Sequence, residues 1–163
     1  MPPVESLLTD NPFAVLTSVV APAVLTNACS VLSLGTGNRI ARVVDQSRQV
    51  GQALQEAAAG APERRELENQ MLSLAARSQL LISALRMIYV SLGSFAAAAL
   101  IAVVGAGLAA YEAGWGFRVF AALGLTAGIL GVGCLVGGCA KLVREVRMAL
   151  DQTAEFAAKA LTP

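Results

Sequence analysis

Few side chains in this sequence are suited to catalysis or metal binding. None of the 163 residues is a histidine, which removes the commonest metal ligand and the commonest general base. The three cysteines, Cys29, Cys134 and Cys139, lie in apolar stretches, and the last two are five residues apart, on different sides of a helix. We therefore expect buried thiols, no metal site, no cofactor and no enzymatic activity.

The first apolar stretch, residues 11–38, carries several small polar side chains near one face of a helix. These residues are Ser18, Thr26, Asn27, Ser30 and Ser33, grouped around Pro22. One interpretation is that the hydroxyls satisfy the carbonyl that Pro22 leaves without a donor. The other is that this face lines a water-filled path when several copies assemble. Asn27, at the border of the face, is the most informative residue because an amide in hydrocarbon needs a partner.

Positive charges follow this stretch directly, at Arg39, Arg42 and Arg48. Anchoring to anionic lipid headgroups is one interpretation of these arginines. A ring around the entrance of a path, or a docking site for an acidic partner, is the other. Asp45 is spaced to pair with Arg42 or Arg48, and Gly35 and Gly37 suggest a hinge where the helix leaves the membrane.

Three stretches without charge must position these groups. They are residues 11–38, 87–111 and 119–140, which are 28, 25 and 22 residues long. Each exceeds the roughly 20 apolar residues that a helix needs to cross a bilayer. Charged residues make up 14% of the chain, against about 25% in soluble domains. We predict an all-α integral membrane protein with three transmembrane helices, over about residues 13–36, 82–111 and 117–140.

The positive charges also predict an orientation. Eleven of the twelve Lys and Arg residues lie between the first two charge-free stretches or after the third, and Arg118 is the exception. Basic residues near spans favour the cytoplasmic side, so we expect the N terminus outside and the C terminus in the cytoplasm. A net charge of +1 gives no indication of nucleic-acid binding, and the expected partner is the lipid bilayer.

The segments outside the spans also have helical patterns. Residues 38–81 predict a cytoplasmic helical hairpin with a turn at Gly60-Ala61-Pro62, where Pro62 and Glu63 fit the start of a new helix. This second helix should continue through the second span to Tyr111. Residues 141–160 predict an amphipathic tail helix, and residues 1–163 form a single membrane domain.

The third stretch is rich in glycine. Gly124 with Gly128, and Gly133 with Gly137, match the spacing of small residues that lets membrane helices approach closely. The contact could be made within this chain or between subunits, and the sequence gives the two equal weight.

Part of the sequence resembles a known bacterial family, the domain of unknown function 2721. The residues that carry the resemblance are Val20-Ala-Pro-Ala23, Asn38, Arg39, Arg42, Asp45, Arg48 and Arg77. It covers most of residues 12–140 and implies a small three-span protein of the bacterial inner membrane. The family brings no catalytic residue.

Two functions fit these patterns. In the first, identical chains assemble into a channel-like homo-oligomer for ions or small solutes, with the first span and the arginines lining the path. In the second, the protein is an accessory or scaffold subunit of a larger membrane complex. The polar and glycine-rich faces need more burial than one chain provides, which slightly favours self-assembly.

Overall fold

The computed structural model describes residues 12–109 and 115–161, and these residues are helical except for a short turn. Three helices follow one another along the chain: α1 (Pro12–Glu56), α2 (Pro62–Ala109) and α3 (Trp115–Leu161). Each contains a segment long and apolar enough to cross a membrane. The prediction of an all-α chain with three such helices is confirmed at this level.

Helix α1 is continuous through the residues where a hinge was expected. Gly35 and Gly37 both lie inside it, on either side of the buried Thr36. Glycine costs a helix only about 1 kcal/mol relative to alanine. Packing of the inner face at Thr36 can offset this, so the two glycines do not interrupt the helix.

A turn of five residues, 57–61, joins α1 to α2. Gly60 has a φ of 90°, a left-handed conformation that favours glycine, at the third position of the β-turn formed by residues 58–61. The Arg64 guanidinium donates hydrogen bonds to the carbonyls of Leu54 and Ala57, both at 3.3 Å. A positive side chain on these carbonyls stabilises the C-terminal end of α1.

The second and third helices are longer than a membrane span. Helix α2 begins at Pro62 with Glu63 in its first turn, as predicted, and the last predicted residues of that span, 110–111, lie outside the described residues. Helix α3 is continuous over 47 residues. The tail from residue 141 is therefore the continuation of the third helix, and no break separates the two.

The buried residues recur every seven positions along each helix. They are Cys29, Thr36 and Val43 on α1; Leu74, Leu81, Ile88 and Phe95, with Ala84, Ser91, Ala98 and Gly105, on α2; and Gly131, Gly138 and Glu145 on α3. A seven-residue period is typical of helices that pack as in a left-handed coiled coil. Helix α2 carries two such series because it contacts both other helices.

The chain divides into two compact units, and each helix contributes a segment to both. Of the described residues, 12–32, 88–109 and 115–135 belong to the apolar unit, and the only Lys or Arg among them is Arg118. Residues 33–87 and 136–161 belong to the charged unit and contain the other eleven. In the charged unit, Val43, Leu74 and Leu81 form a hydrophobic core.

Candidate functional site

A buried carboxylate joins the three helices of the charged unit. Glu145 on α3 has a side chain only 4% exposed. Its Oε1 accepts hydrogen bonds from Nε and Nη2 of Arg77 on α2, at 3.0 and 2.8 Å. Its Oε2 accepts one from Nη1 of Arg39 on α1, at 3.4 Å. We call Arg39, Arg77 and Glu145 the ion triad.

The two arginines of the ion triad are not equivalent. Arg77 is 18% exposed and holds its oxygen with two donors, whereas Arg39 is 50% exposed and makes one longer contact. A buried carboxylate is tolerated when it is paired and hydrogen-bonded. Arg77 supplies most of that pairing, and Arg39 ties α1 to the other two helices.

On one side of the ion triad, two further contacts join α2 and α3, one helical turn apart. One turn before Glu145, the Lys141 ammonium donates to the Ser83 hydroxyl. Another turn earlier, the end of the Met87 side chain lies against Gly137. Helices α2 and α3 therefore run antiparallel in this unit, in a register that brings Arg77 to the level of Glu145.

The apolar unit has a polar junction of its own. The buried Ser91 hydroxyl on α2 donates to the Gly131 carbonyl on α3 at 2.6 Å. Because Ser91 donates its only hydroxyl proton in that bond, the Cys29 thiol on α1 is the donor to Ser91 Oγ, with 3.5 Å between sulfur and oxygen. The Phe95 ring lies directly against Gly131. We call Cys29, Ser91 and Gly131 the neutral junction.

Two side chains of the predicted polar face of α1 bond to their own helix. Thr26 Oγ1 donates to the Pro22 carbonyl at 2.8 Å, and Ser30 Oγ donates to the Thr26 carbonyl at 3.0 Å. These bonds reach one turn back and do not involve the carbonyl that Pro22 frees. The Ser33 hydroxyl oxygen is buried and has no hydrogen-bond partner among the described residues. The side chain of Ser18 lies outside the described residues.

Asn27 differs from these hydroxyls. Its side chain is exposed, and it makes no hydrogen bond within the described part of the chain. Because it precedes the buried Cys29 by two residues, it lies about 200° around the helix from the packed face. Its amide therefore points away from α2 and α3.

The three predicted arginines have different surroundings. Arg39 belongs to the ion triad, whereas Arg42 and Arg48 are exposed. Neither of these two forms an ion pair with Asp45 or with any other residue that the structure describes. All three arginines lie on α1, but within the described part of the chain only Arg39 forms an ion pair with another helix.

The four predicted packing glycines also divide. A methyl group added at Gly124 would lie 3.5 Å from Ile101, and one at Gly137 would meet Met87. Added methyl groups at Gly128 and Gly133 would have nothing within 4 Å among the described residues. Only one member of each predicted pair therefore contributes to the helix contact within the chain, and the buried glycines of α3 are instead Gly131 and Gly138.

Glu145 is the functional candidate that sequence reasoning missed. It lies in a charged segment, Lys141-Leu-Val-Arg-Glu145-Val-Arg147, which predicts a solvated face. Two signals could have revealed it. It is the only acidic residue between Glu112 and Asp151, and it continues the seven-residue spacing of Gly131 and Gly138.

These observations define the class of protein. It is an all-helical chain whose three helices are long and apolar enough to cross a membrane and are joined by one neutral and one ionic junction. The chain belongs to the family described as protein of unknown function (DUF2721), whose model matches residues 19–154. The match includes every residue of both junctions and confirms the resemblance noted in the sequence. No curated protein and no solved structure matches the chain.

Proposed function

We propose that this protein is a non-enzymatic component of the bacterial inner membrane that assembles with copies of itself through the outward face of α1. The observation that carries the proposal is the exposed amide of Asn27. It is flanked one turn away on each side by Val24 and Val31, which are 62% and 65% exposed. A polar amide therefore interrupts an apolar surface that faces away from the chain's own core.

The depth of Asn27 makes this amide costly for a single copy. It lies twelve residues before Arg39, the first charge after the apolar stretch, which is about 18 Å along the helix. Half the hydrocarbon thickness is about 15 Å, so the amide lies near the middle of the bilayer. Pairing with Asn27 of a second copy satisfies both groups, and interhelical bonds of this kind contribute about 0.6 to 2 kcal/mol.

The assembly supports a further step, a path for ions or small solutes between the copies. Arg42 and Arg48 are exposed on the same helix and could line an entrance to it, while Asn27 supplies polar groups at mid-depth. The hydroxyls of Thr26 and Ser30 add little to such a path, because both bond to their own helix. The distribution of basic residues supports an N terminus outside and a charged unit in the cytoplasm.

Mass measurement in a mild detergent tests the assembly. The wild-type chain should give one closed homo-oligomer, and Asn27→Leu should weaken its association about 3- to 30-fold. Ser30→Ala is the matched control, since this side chain is also exposed on α1 but bonds within its helix. A wild-type monomer, or a chain found only in a mixed complex, would contradict self-assembly and favour the accessory-subunit alternative.

Recording from planar bilayers tests the path separately. The purified oligomer should pass a current that Asn27→Leu alters and Ser30→Ala leaves unchanged. A stable oligomer that passes no current would remove the path from the proposal and leave the assembly in place.

A further inference from the structure

The charges of the ion triad do not balance. Arg77 alone neutralises Glu145, because its two donors hold one oxygen at 3.0 and 2.8 Å and its side chain is mostly buried. Arg39 then adds a second positive charge for which the triad holds no second carboxylate. The carboxylate nevertheless fixes the position of this guanidinium through one of its five N–H groups.

The surplus charge lies at the end of an apolar stretch. Arg39 is the first charged residue after residues 11–38, and Lys141 is the first after residues 119–140. Arg42 follows Arg39 by three residues on α1 and is exposed. In a helix that crosses a bilayer, such positions lie at the level of the lipid phosphates.

We propose that Arg39 binds the phosphate of an anionic phospholipid, with Arg42 as a second cation beside it. A guanidinium presents paired N–H donors that match a phosphate, and its half-exposed side chain is open to one. In this arrangement Glu145 acts as a positioning residue for Arg39, and Arg77 cancels the repulsion that the carboxylate would exert on the phosphate. The site does not require the self-assembly proposed above.

Native mass spectrometry of the purified full-length protein tests the site. The protein is titrated with phosphatidylglycerol, and with phosphatidylcholine of the same acyl chains as the zwitterionic comparison. We expect preferential retention of phosphatidylglycerol and a loss of about fivefold in its affinity in Arg39→Gln, the effect typical of one basic residue at a membrane surface. The same spectra report the oligomer mass, so that loss of lipid and loss of assembly are distinguished.

Two variants control for other causes. Arg65→Gln removes an exposed arginine on α2, about 18 Å along that helix from Arg77, and should leave lipid retention unchanged. Arg39→Lys keeps the charge without the guanidinium fork and should retain part of the preference, which provides a readout if Arg39→Gln does not fold.

Three results would overturn the proposal. Equal retention of the two lipids would show no recognition of the anionic headgroup. Equal losses in Arg39→Gln and Arg65→Gln would show that the effect depends only on net charge. Displacement of phosphatidylglycerol by millimolar inorganic phosphate would show that the site takes the free anion.

Discussion

The neutral junction and the ion triad have the same structural role but different chemistry. Each connects all three helices through one central side chain, Ser91 on α2 in the apolar unit and Glu145 on α3 in the charged unit. Each central residue is also buried at a position of the seven-residue series. The neutral junction uses a hydroxyl, a thiol and a backbone carbonyl, whereas the ion triad uses full charges.

The difference follows from what each segment can bury. Helices in lipid gain little from burying apolar surface against each other, so close contact and hydrogen bonds must hold them. Gly131 takes part in both, because it lies against the Phe95 ring and its carbonyl accepts a hydrogen bond from Ser91. The charged unit has a hydrophobic core of Val43, Leu74 and Leu81, and its ion triad adds specificity to that core. Loss of the ion triad should therefore have the larger effect, because it leaves a charge unpaired.

The largest effect is expected for Glu145→Ala. Removal of the carboxylate leaves the mostly buried guanidinium of Arg77 without its partner, and such a loss typically lowers the free energy of unfolding by about 3–5 kcal/mol. Glu68→Ala is the control, because Glu68 pairs with Arg64 on an exposed surface and should contribute less than about 1 kcal/mol. Unfolding in mixed micelles with increasing denaturing detergent measures both. Equal losses would show that burial gives the ion triad no special role.

A smaller effect is expected for Gly131→Ala. The added methyl group would lie 2.7 Å from Cε1 and 2.9 Å from Cδ1 of the Phe95 ring, so the ring or the helix must shift, at about 1–3 kcal/mol. Gly133→Ala has open space and should stabilise α3 by roughly 0.5–1 kcal/mol. The same unfolding titration compares them. A Gly131→Ala variant as stable as Gly133→Ala would contradict the close contact with Phe95.

The smallest effect is expected for Ser91→Ala, which removes the central hydroxyl of the neutral junction. Hydrogen bonds between membrane helices contribute about 0.6 to 1.7 kcal/mol, and we expect a loss in that range. Ser30→Ala, whose hydroxyl bonds to its own helix, should change stability less. If the two variants unfold together, the hydroxyl of Ser91 does not hold the helices, and the neutral junction reduces to packing.

Much of the fold could be predicted because it depends on local patterns. The absence of charge over long stretches predicts the three helices, and Pro62 with Glu63 predicts where α2 begins. The hinge expected at Gly35 and Gly37 does not appear as a break in α1, because two glycines do not end a long helix whose inner face is packed at Thr36. The seven-residue period is also present in the sequence. A search for repeating hydrophobic residues does not find it, because some of its positions hold glycine, serine or glutamate.

The ion triad could not be predicted in the same way. Arg39 and Arg77 lie 106 and 68 residues from Glu145, and only the register of three helices brings them together. Local spacing instead suggested that Asp45 pairs with Arg42 or Arg48, a pair that the structure does not form among the described residues. Glu145 also lies between Arg144 and Arg147, so the sequence near it resembles a solvated surface.

The seven-residue period has a consequence for length variation among relatives. Seven residues added to the end of α1 and seven to the start of α2, on either side of the turn at Gly60, would extend both helices by two turns and return each inner face to the same side. A single added residue would instead rotate one helix by about 100° against the other. Insertions and deletions in this part of the family should therefore come as seven residues in each helix. Insertions and deletions of any other length should be confined to the turn at residues 57–61.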